Sequence, residues 1–518
     1  MKKIRQLAIT SLLVSTVSLS LPVPADMVRP VVDNAAIASD SQAALSKKAS
    51  VTNSTCDMEE NLCLSLQHRF NSGEPIPSET IAIPFEKIDE NPLVLLAELK
   101  KHFLKHLKKH EKPLEIDTTL DFVLSPELLR DWGRWPSVSI KTLVDSKGVG
   151  KIDVVFPAYR REVPAKSGKP LIDWKGLTAQ FTFTEQSENL RVALNTAGLM
   201  VEKAGKMTLS FGQTTFNGAF DGNLEPIEID LNLPSFAFQD DAGSVKANNL
   251  IFKLNIEKTG KGVRLDDLDF QVGHVDVSQL EEGFQISLDN LALTTDAESQ
   301  GNVLNYTVGG QIGKITLPKE STGDLEINSV AGQLAFQRID EEAWLALQNT
   351  NRELETDDSA TAMLMLGQFM ELAPKLVPKS PQMALTQFVM GTSQGQLKAD
   401  VSLGIHGNKV ISLDNPLFVI SALWANVDFS INKTLLASIV EMMITYEMQE
   451  SLAGKAMSEA ELAKIKAKTM QEFPFNLLVD GEPNNDKKLV ADLTDGMLTL
   501  NGQKMPLFQL LLSLMETQ

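Results

Sequence analysis

With 518 residues the chain has room for two or more packed units, or for one elongated sheet. Its 67 acidic against 48 basic residues give a net charge of −19. That balance excludes general nucleic-acid binding, which needs a basic footprint, and favours a self-repelling, soluble surface.

Residues 1–25 read as a secretory signal. Lys2, Lys3 and Arg5 form a positive start, and the apolar run Leu7 to Leu21 ends at Pro22 and Pro24 before Ala25. A spanning helix needs about 20 predominantly apolar residues, and this run is interrupted by Ser and Thr throughout. Left uncleaved, it would attach the protein to the inner membrane by local thinning of the bilayer. Either way the bulk of the chain leaves the cytoplasm for the periplasm, and loss of the three basic residues takes the charge from −19 to −22. Residues 26–80 are rich in Ala, Ser and Asn and read as a linker. Cys56 and Cys63 within it form one local disulfide in an oxidising compartment. So short a loop removes little chain entropy, and the bond pins a turn and not the fold.

Residues 81–114 hold a basic amphipathic helix. Leu96, Leu99, Phe103 and Leu107 share one face, Lys101, Lys105, Lys108, Lys109 and Lys112 lie elsewhere around it, and His102, His106 and His110 border the apolar stripe. Three readings compete for it. The apolar stripe packs over a sheet while the lysines meet the protein's own acids. Alternatively Leu99, Phe103 and Leu107 dip into an anionic membrane surface under Lys101, Lys105 and Lys108. In the third, the histidines share a metal ion, although at 1.5 Å rise per residue the outer two stand about 12 Å apart on one helix.

Residues 115–340 read as a meander of antiparallel strands with one wet face. Ile227, Ile229, Leu231 and Leu233 alternate with Glu228, Asp230 and Asn232; Phe252, Leu254 and Ile256 follow, then Leu268, Phe270 and Val272, then Phe284, Ile286 and Leu288. Turn residues such as Asp241-Ala242-Gly243 and Lys258 to Gly262 separate them, as hairpins require. The acids on the alternate positions, among them Glu228, Asp230, Asp269 and Asp289, read as a solvated face and not as calcium ligands, which converge from one loop.

A helical insertion is expected over 341–395, strands over 396–432, two helices over 433–472, and strands with a short helix over 473–518. Gly391-Thr-Ser393-Gln-Gly395 matches the serine-hydrolase elbow, but that motif needs a strand before the serine and a helix after it. Here the order reads as reversed, with a helix-like segment before the pattern and a strand from Leu397 after it, so the glycines read as turn residues. Neither His274 nor His406 has a recognisable partner motif. The sequence thus names no catalytic residue and calls for no cofactor.

The closing segment Leu498–Leu507 (LTLNGQKMPL) resembles the C-terminal signature of the YdgA-like family of bacterial envelope proteins, whose function is not established. Gly332–Phe336 with Ile339–Trp344, and Lys169–Leu177, fit the same family, and the likeness runs from about 130 to 518. It implies an N-terminal membrane segment and a large β-rich periplasmic body, with no catalytic residues. The leader and the cysteine pair are where this chain departs from it.

The expected fold is therefore mainly β with helices (α+β), a large curled antiparallel meander whose helical segments cover part of one face. Its expected task is to hold lipid or another hydrophobic envelope component in a groove lined by Ile227, Ile229, Leu231, Phe252, Leu254, Phe270 and Phe284. The rival is a structural or assembly factor that docks another envelope protein through a strand edge or a Met-rich helix.

Overall fold

The computed structural model describes residues 56–58, 60–90, 94, 98, 101–102, 111–126, 129–130, 133–161, 170–184, 189–203, 206–222, 225–279, 284–317, 326–351, 371–413, 416–441, 477–481 and 486–507. Two compact units result. Met1–Ala204 with Thr215–Glu225 make the first, and Gly205–Thr214 with Pro226–Gln518 make the second.

The first unit starts inside the segment read as linker. Asn61–Phe70 (β1) and Glu79–Pro84 (β2) pair as antiparallel strands, and a short helix, Phe85–Glu90 (α1), follows. The signal was present in β1, where Leu62, Leu64, Leu66 and His68 alternate onto one buried face. Cys56 and Cys63 are bonded to each other, as the spacing predicts. Of the expected 81–114 helix, residues 81–84 are strand, residues 94, 98, 101 and 102 are helical, and 103–110 lie outside the described residues.

Leu114–Val123 (β3), Val138–Val144 (β4), Val149–Phe156 (β5), Tyr159–Arg161 (β6), Leu171–Trp174 (β7), Leu177–Thr184 (β8), Leu190–Thr196 (β9) and Leu199–Lys203 (β10) continue the unit. The chain then places Met207–Phe211 (β11) in the second unit and returns for Thr214–Phe220 (β12). The order β2-β1-β3-β4-β5-β8-β9-β12 forms one antiparallel ladder, and β6-β7-β10 another. The core gathers Leu62, Leu64, Leu66, Ile83, Ile88, Leu120, Val138 and Ile140. Where β7 passes into β8, Gly176 takes φ +94°, and a Cβ there would lie 3.2 Å from the backbone of Ala158 and Phe156. Only glycine allows the strands that approach.

The second unit is a long meander. Pro226–Asp240 (β13), Gly243–Lys258 (β14), Arg264–Gln279 (β15) and Phe284–Gln300 (β16) are 15, 16, 16 and 17 residues long. At about 3.3 Å per residue each spans about 50 Å, roughly two and a half to three times an ordinary strand. Val303–Ile312 (β17), Lys314–Thr316 (β18), Ile327–Asp340 (β19), Gln382–Thr392 (β20), Gly395–Ile405 (β21), Leu423–Asn432 (β22), Val479–Gly481 (β23), Asp486–Thr494 (β24), Met497–Leu500 (β25) and Gln503–Pro506 (β26) complete it. Each pairs antiparallel with its neighbour, from β11 beside β13 to β26 beside β25.

Glu341–Asn351 (α2) and Pro416–Ala422 (α3) are helices, and 433–441 begins another. The expected 341–395 insertion is thus helical at its start but contains β20, a full strand; 352–370 and 442–476 lie outside the described residues. Gly391 and Gly395 flank the hairpin between β20 and β21, whose turn holds Ser393, so the elbow reading is closed by topology. The structure is mainly β, with helices a minor part of the described residues.

One rank interrupts the long strands. Pro234, Asn249, Gly273, Asn290 and Gly313 stand opposite one another across β13 to β16 and the bend between β17 and β18, between pairs such as Leu233–Leu250 and Ser235–Asn248. Asn249 and Asn290 are left-handed, with φ of 56° and 52°. A Cβ on Gly273 would meet Asn249 at 3.1 Å, and one on Gly313 would meet Asn290 at 3.0 Å. Asparagine tolerates that conformation and glycine leaves room for its side chain, so the two types alternate along the rank. The pleat changes phase there: Lys253 and Asn255 are exposed on one side of the rank, Lys246 and Asn248 on the other. The apolar set changes with it, from Leu250 and Phe252 to Val245 and Ala247, which keeps both halves of the face apolar.

Candidate functional site

Antiparallel register decides which side chains become neighbours, and here it lines up apolar residues across strand after strand. Ile229, Leu254, Leu268, Thr295, Val308, Leu334, Leu385, Val401, Val427, Ala491 and Leu500 stand opposite one another in a single rank from β13 to β25. Thr295, the one polar member, turns its hydroxyl to the Asp266 carbonyl at 2.8 Å. Beside it runs a second rank, Ala297, Tyr306, Phe336, Met383, Leu403, Ala425, Leu493, Leu498 and Met505.

Ten intervals of about 4.8 Å make the first rank roughly 48 Å long. A closed core would bury such residues; most of these are half-buried, and Leu403 is 42% exposed. Above Gly310, two residues along β17 from Val308, the space that a Cβ would occupy is open. An apolar band of this extent left partly wet is the usual mark of a binding surface.

One carboxyl borders the band. Asp266 stands opposite Ile256 and receives the Tyr306 hydroxyl at 3.5 Å. Burial pushes its pKa above the usual carboxylate range, and the same burial, with Asp266 nearby, raises Tyr306.

Six of the seven residues expected to line a groove lie in or beside these ranks. Leu231, Phe252 and Phe270 share a rank that Leu293 extends, Leu231 and Phe252 are buried, and Ile229 pairs with Leu254 one rank away, with Ile227 two residues further along β13. Phe284 opens β16 opposite Gln279, beyond the Asn–Gly rank and away from these two ranks, and Leu293 stands opposite Phe270. Most of the band was missed from sequence because the members of β17 to β26 become neighbours only through register.

The reverse face is polar but not merely solvated. His274 Nδ1 lies 2.6 Å from Asp289 and Nε2 lies 2.7 Å from Asp276, whose other oxygen accepts the Ser287 hydroxyl. Hydrogen bonds to Asp289 and Asp276 raise the His274 pKa, and those from Ser287 and His274 lower that of Asp276. Both ring nitrogens are engaged by carboxylates, which suits a held imidazolium. Serine donates to the acid and not to the imidazole, so the group lacks the order of a nucleophilic triad.

In the first unit His102 stands beside the buried His68, Nε2 to Nε2 at 3.0 Å; His68 Nδ1 meets Thr118 at 2.8 Å, and Glu79 lies 3.9 Å from His102 Nδ1. The histidine stripe thus contributes at least one ring to a buried polar chain. Lys101 pairs with Glu98 at 3.8 Å and is otherwise solvent-facing. Leu99, Phe103, Lys105, His106, Leu107, Lys108 and His110 lie outside the described residues. Among the described residues no group of three or more His, Cys, Asp or Glu side chains is placed to hold a metal ion, and no helix is long and apolar enough to cross a membrane.

The family model described as bacterial protein of unknown function (DUF945) matches residues 205–508. That span includes the whole band and the motifs at 332–344 and 498–507, but not Lys169–Leu177. No curated protein and no solved structure matches the chain.

Proposed function

We propose that the chain, which belongs to the bacterial family of unknown function DUF945, is a non-enzymatic cell-envelope protein that carries a hydrophobic ligand along its apolar band. Within that family we read it with the YdgA-like envelope proteins, on the Leu498–Leu507 motif. The observation that carries the reading is the rank from Ile229 to Leu500, apolar at ten of eleven positions and half-open to solvent. Removing apolar surface from water is worth about 25 cal/mol per Å², so an acyl chain laid along this rank gains contact at every strand it crosses. The leader at residues 1–25 supports a periplasmic setting where such chains are at hand, and the lysine-rich segment near Lys101 supports contact with an anionic membrane surface.

Gently purified full-length protein is expected to release lipid into organic solvent, read by mass spectrometry. Leu403→Asp places a charge in the band at a position already 42% exposed. It should cost little stability, within about 0.5 kcal/mol as for an ordinary surface change, yet reduce the lipid recovered at least severalfold. Protein that never carries lipid, or that carries as much after the substitution, contradicts the reading. A stable protein partner in place of lipid would favour the assembly-factor rival.

A further inference from the structure

A second feature of the second unit is a 590 Å³ cleft lined by Arg338, Pro378, Ser380, His406, Gly407 and Asn408. Three separate stretches of chain meet there: the end of β19, the 3-10 turn Val377–Lys379 with the residue after it, and the turn that follows β21. They are locked together, since the Gly407 N–H donates to Ser380 Oγ at 3.0 Å and a Cβ on Gly407 would lie 2.0 Å from the Val377 carbonyl. The His406 ring is stacked near Trp424, with ring centroids 6.2 Å apart.

Backbone strain concentrates here. Among the described residues four left-handed positions are neither Gly, Asn nor Asp, namely Ser72, Arg338, Ser380 and Gln387, and two of them line this cleft. Such residues persist only where the surroundings hold them, and they cluster at active sites, ligand clamps and switch regions. The charge pattern is equally local. The two flanking acids are matched already, Asp340 by Lys379 at 3.9 Å and Asp495 by Lys409 at 2.5 Å. Among the described residues no carboxylate pairs with Arg338. On a chain of net charge −19 this is an unmatched guanidinium in an open cleft.

We propose that this cleft binds a phosphate group. The guanidinium offers a bidentate fork, and Ser380, His406 and Asn408 supply further donors from other directions. Donors converging from three stretches suit a tetrahedral oxyanion better than a planar carboxylate. The phosphate is either free in solution or part of a lipid headgroup, and the site stands whether or not the apolar band carries a ligand.

Calorimetric titration of the full chain with inorganic phosphate, and flotation with phosphatidylcholine vesicles with and without phosphatidylglycerol, form the two arms. Arg338→Gly removes the guanidinium while suiting the left-handed backbone. Its thermal midpoint is expected to be unchanged or raised, with binding at least tenfold weaker. Asn408→Asp, which adds a negative charge at an exposed position, is expected to weaken binding to a similar degree. A response to inorganic phosphate assigns a free anion, and a response only to phosphatidylglycerol vesicles assigns a headgroup. No response in either arm, or equal binding by the parent and both variants, overturns the proposal.

Discussion

His274 illustrates how a polar residue on an open sheet face acquires a defined state. Asp276 lies two residues along the same strand, and Asp289 stands directly opposite on β16. The raised His274 pKa means that its contribution is fully present below the ordinary value of about 6.5 and is lost as pH rises through the higher folded value. Asp276 has the opposite sign: its contribution is present above the ordinary carboxylate value and is lost as pH falls through the depressed one. The clamp therefore stabilises most between those limits. The midpoint difference between the parent and His274→Gln should shrink as pH is raised through the alkaline side of neutrality, by thermal melts across pH. A difference that stays constant or grows would show that His274 contributes through packing alone. The sequence reading gave His274 no partner: it passed over the one local signal, that His-x-Asp on a strand puts both side chains on one face, and Asp289 comes opposite only through register. His68 was missed for a different reason: it continues the apolar series Leu62, Leu64 and Leu66, where a histidine looks like core.

Elements longer than about ten residues were legible where their alternation was unbroken. Ile227 to Leu233 and Phe252 to Ile256 announced β13 and β14, and their acids announced the wet face. The full lengths were hidden by the Asn–Gly rank, because a change of pleat phase looks in sequence like the end of a strand. Gly273→Ala tests that rank. Its Cβ would meet Asn249 Nδ2 at 3.1 Å and Cβ at 3.2 Å, and overpacking of this kind costs about 1–3 kcal/mol. Asn249→Gly suits the left-handed backbone and clears the contact. The double variant is therefore expected to be less destabilised than the two single changes added together, in chemical denaturation. Strict additivity would mean that Asn249 and Gly273 do not accommodate one another. The strands β1 and β20 were obscured by composition, β1 by its Ala- and Ser-rich surroundings and β20 by the helix and prolines before it.

At the scale of the whole molecule, the sequence shows apolar residues by the dozen but not which of them touch. Period-2 alternation gives each strand a greasy side; hydrogen-bonded register turns eleven such sides into one band. The family match over 205–508 covers that band from end to end. The reading that the band carries a hydrophobic ligand can be examined on a single strand. A photoreactive benzoyl-phenylalanine replaces Leu403, which lies in the band, or the exposed Asp400 on the opposite face of β21, and cells are irradiated before purification. A lipid-sized mass adduct is expected at position 403 and none at 400. Equal labelling at both positions, or adducts with protein alone, would contradict that reading.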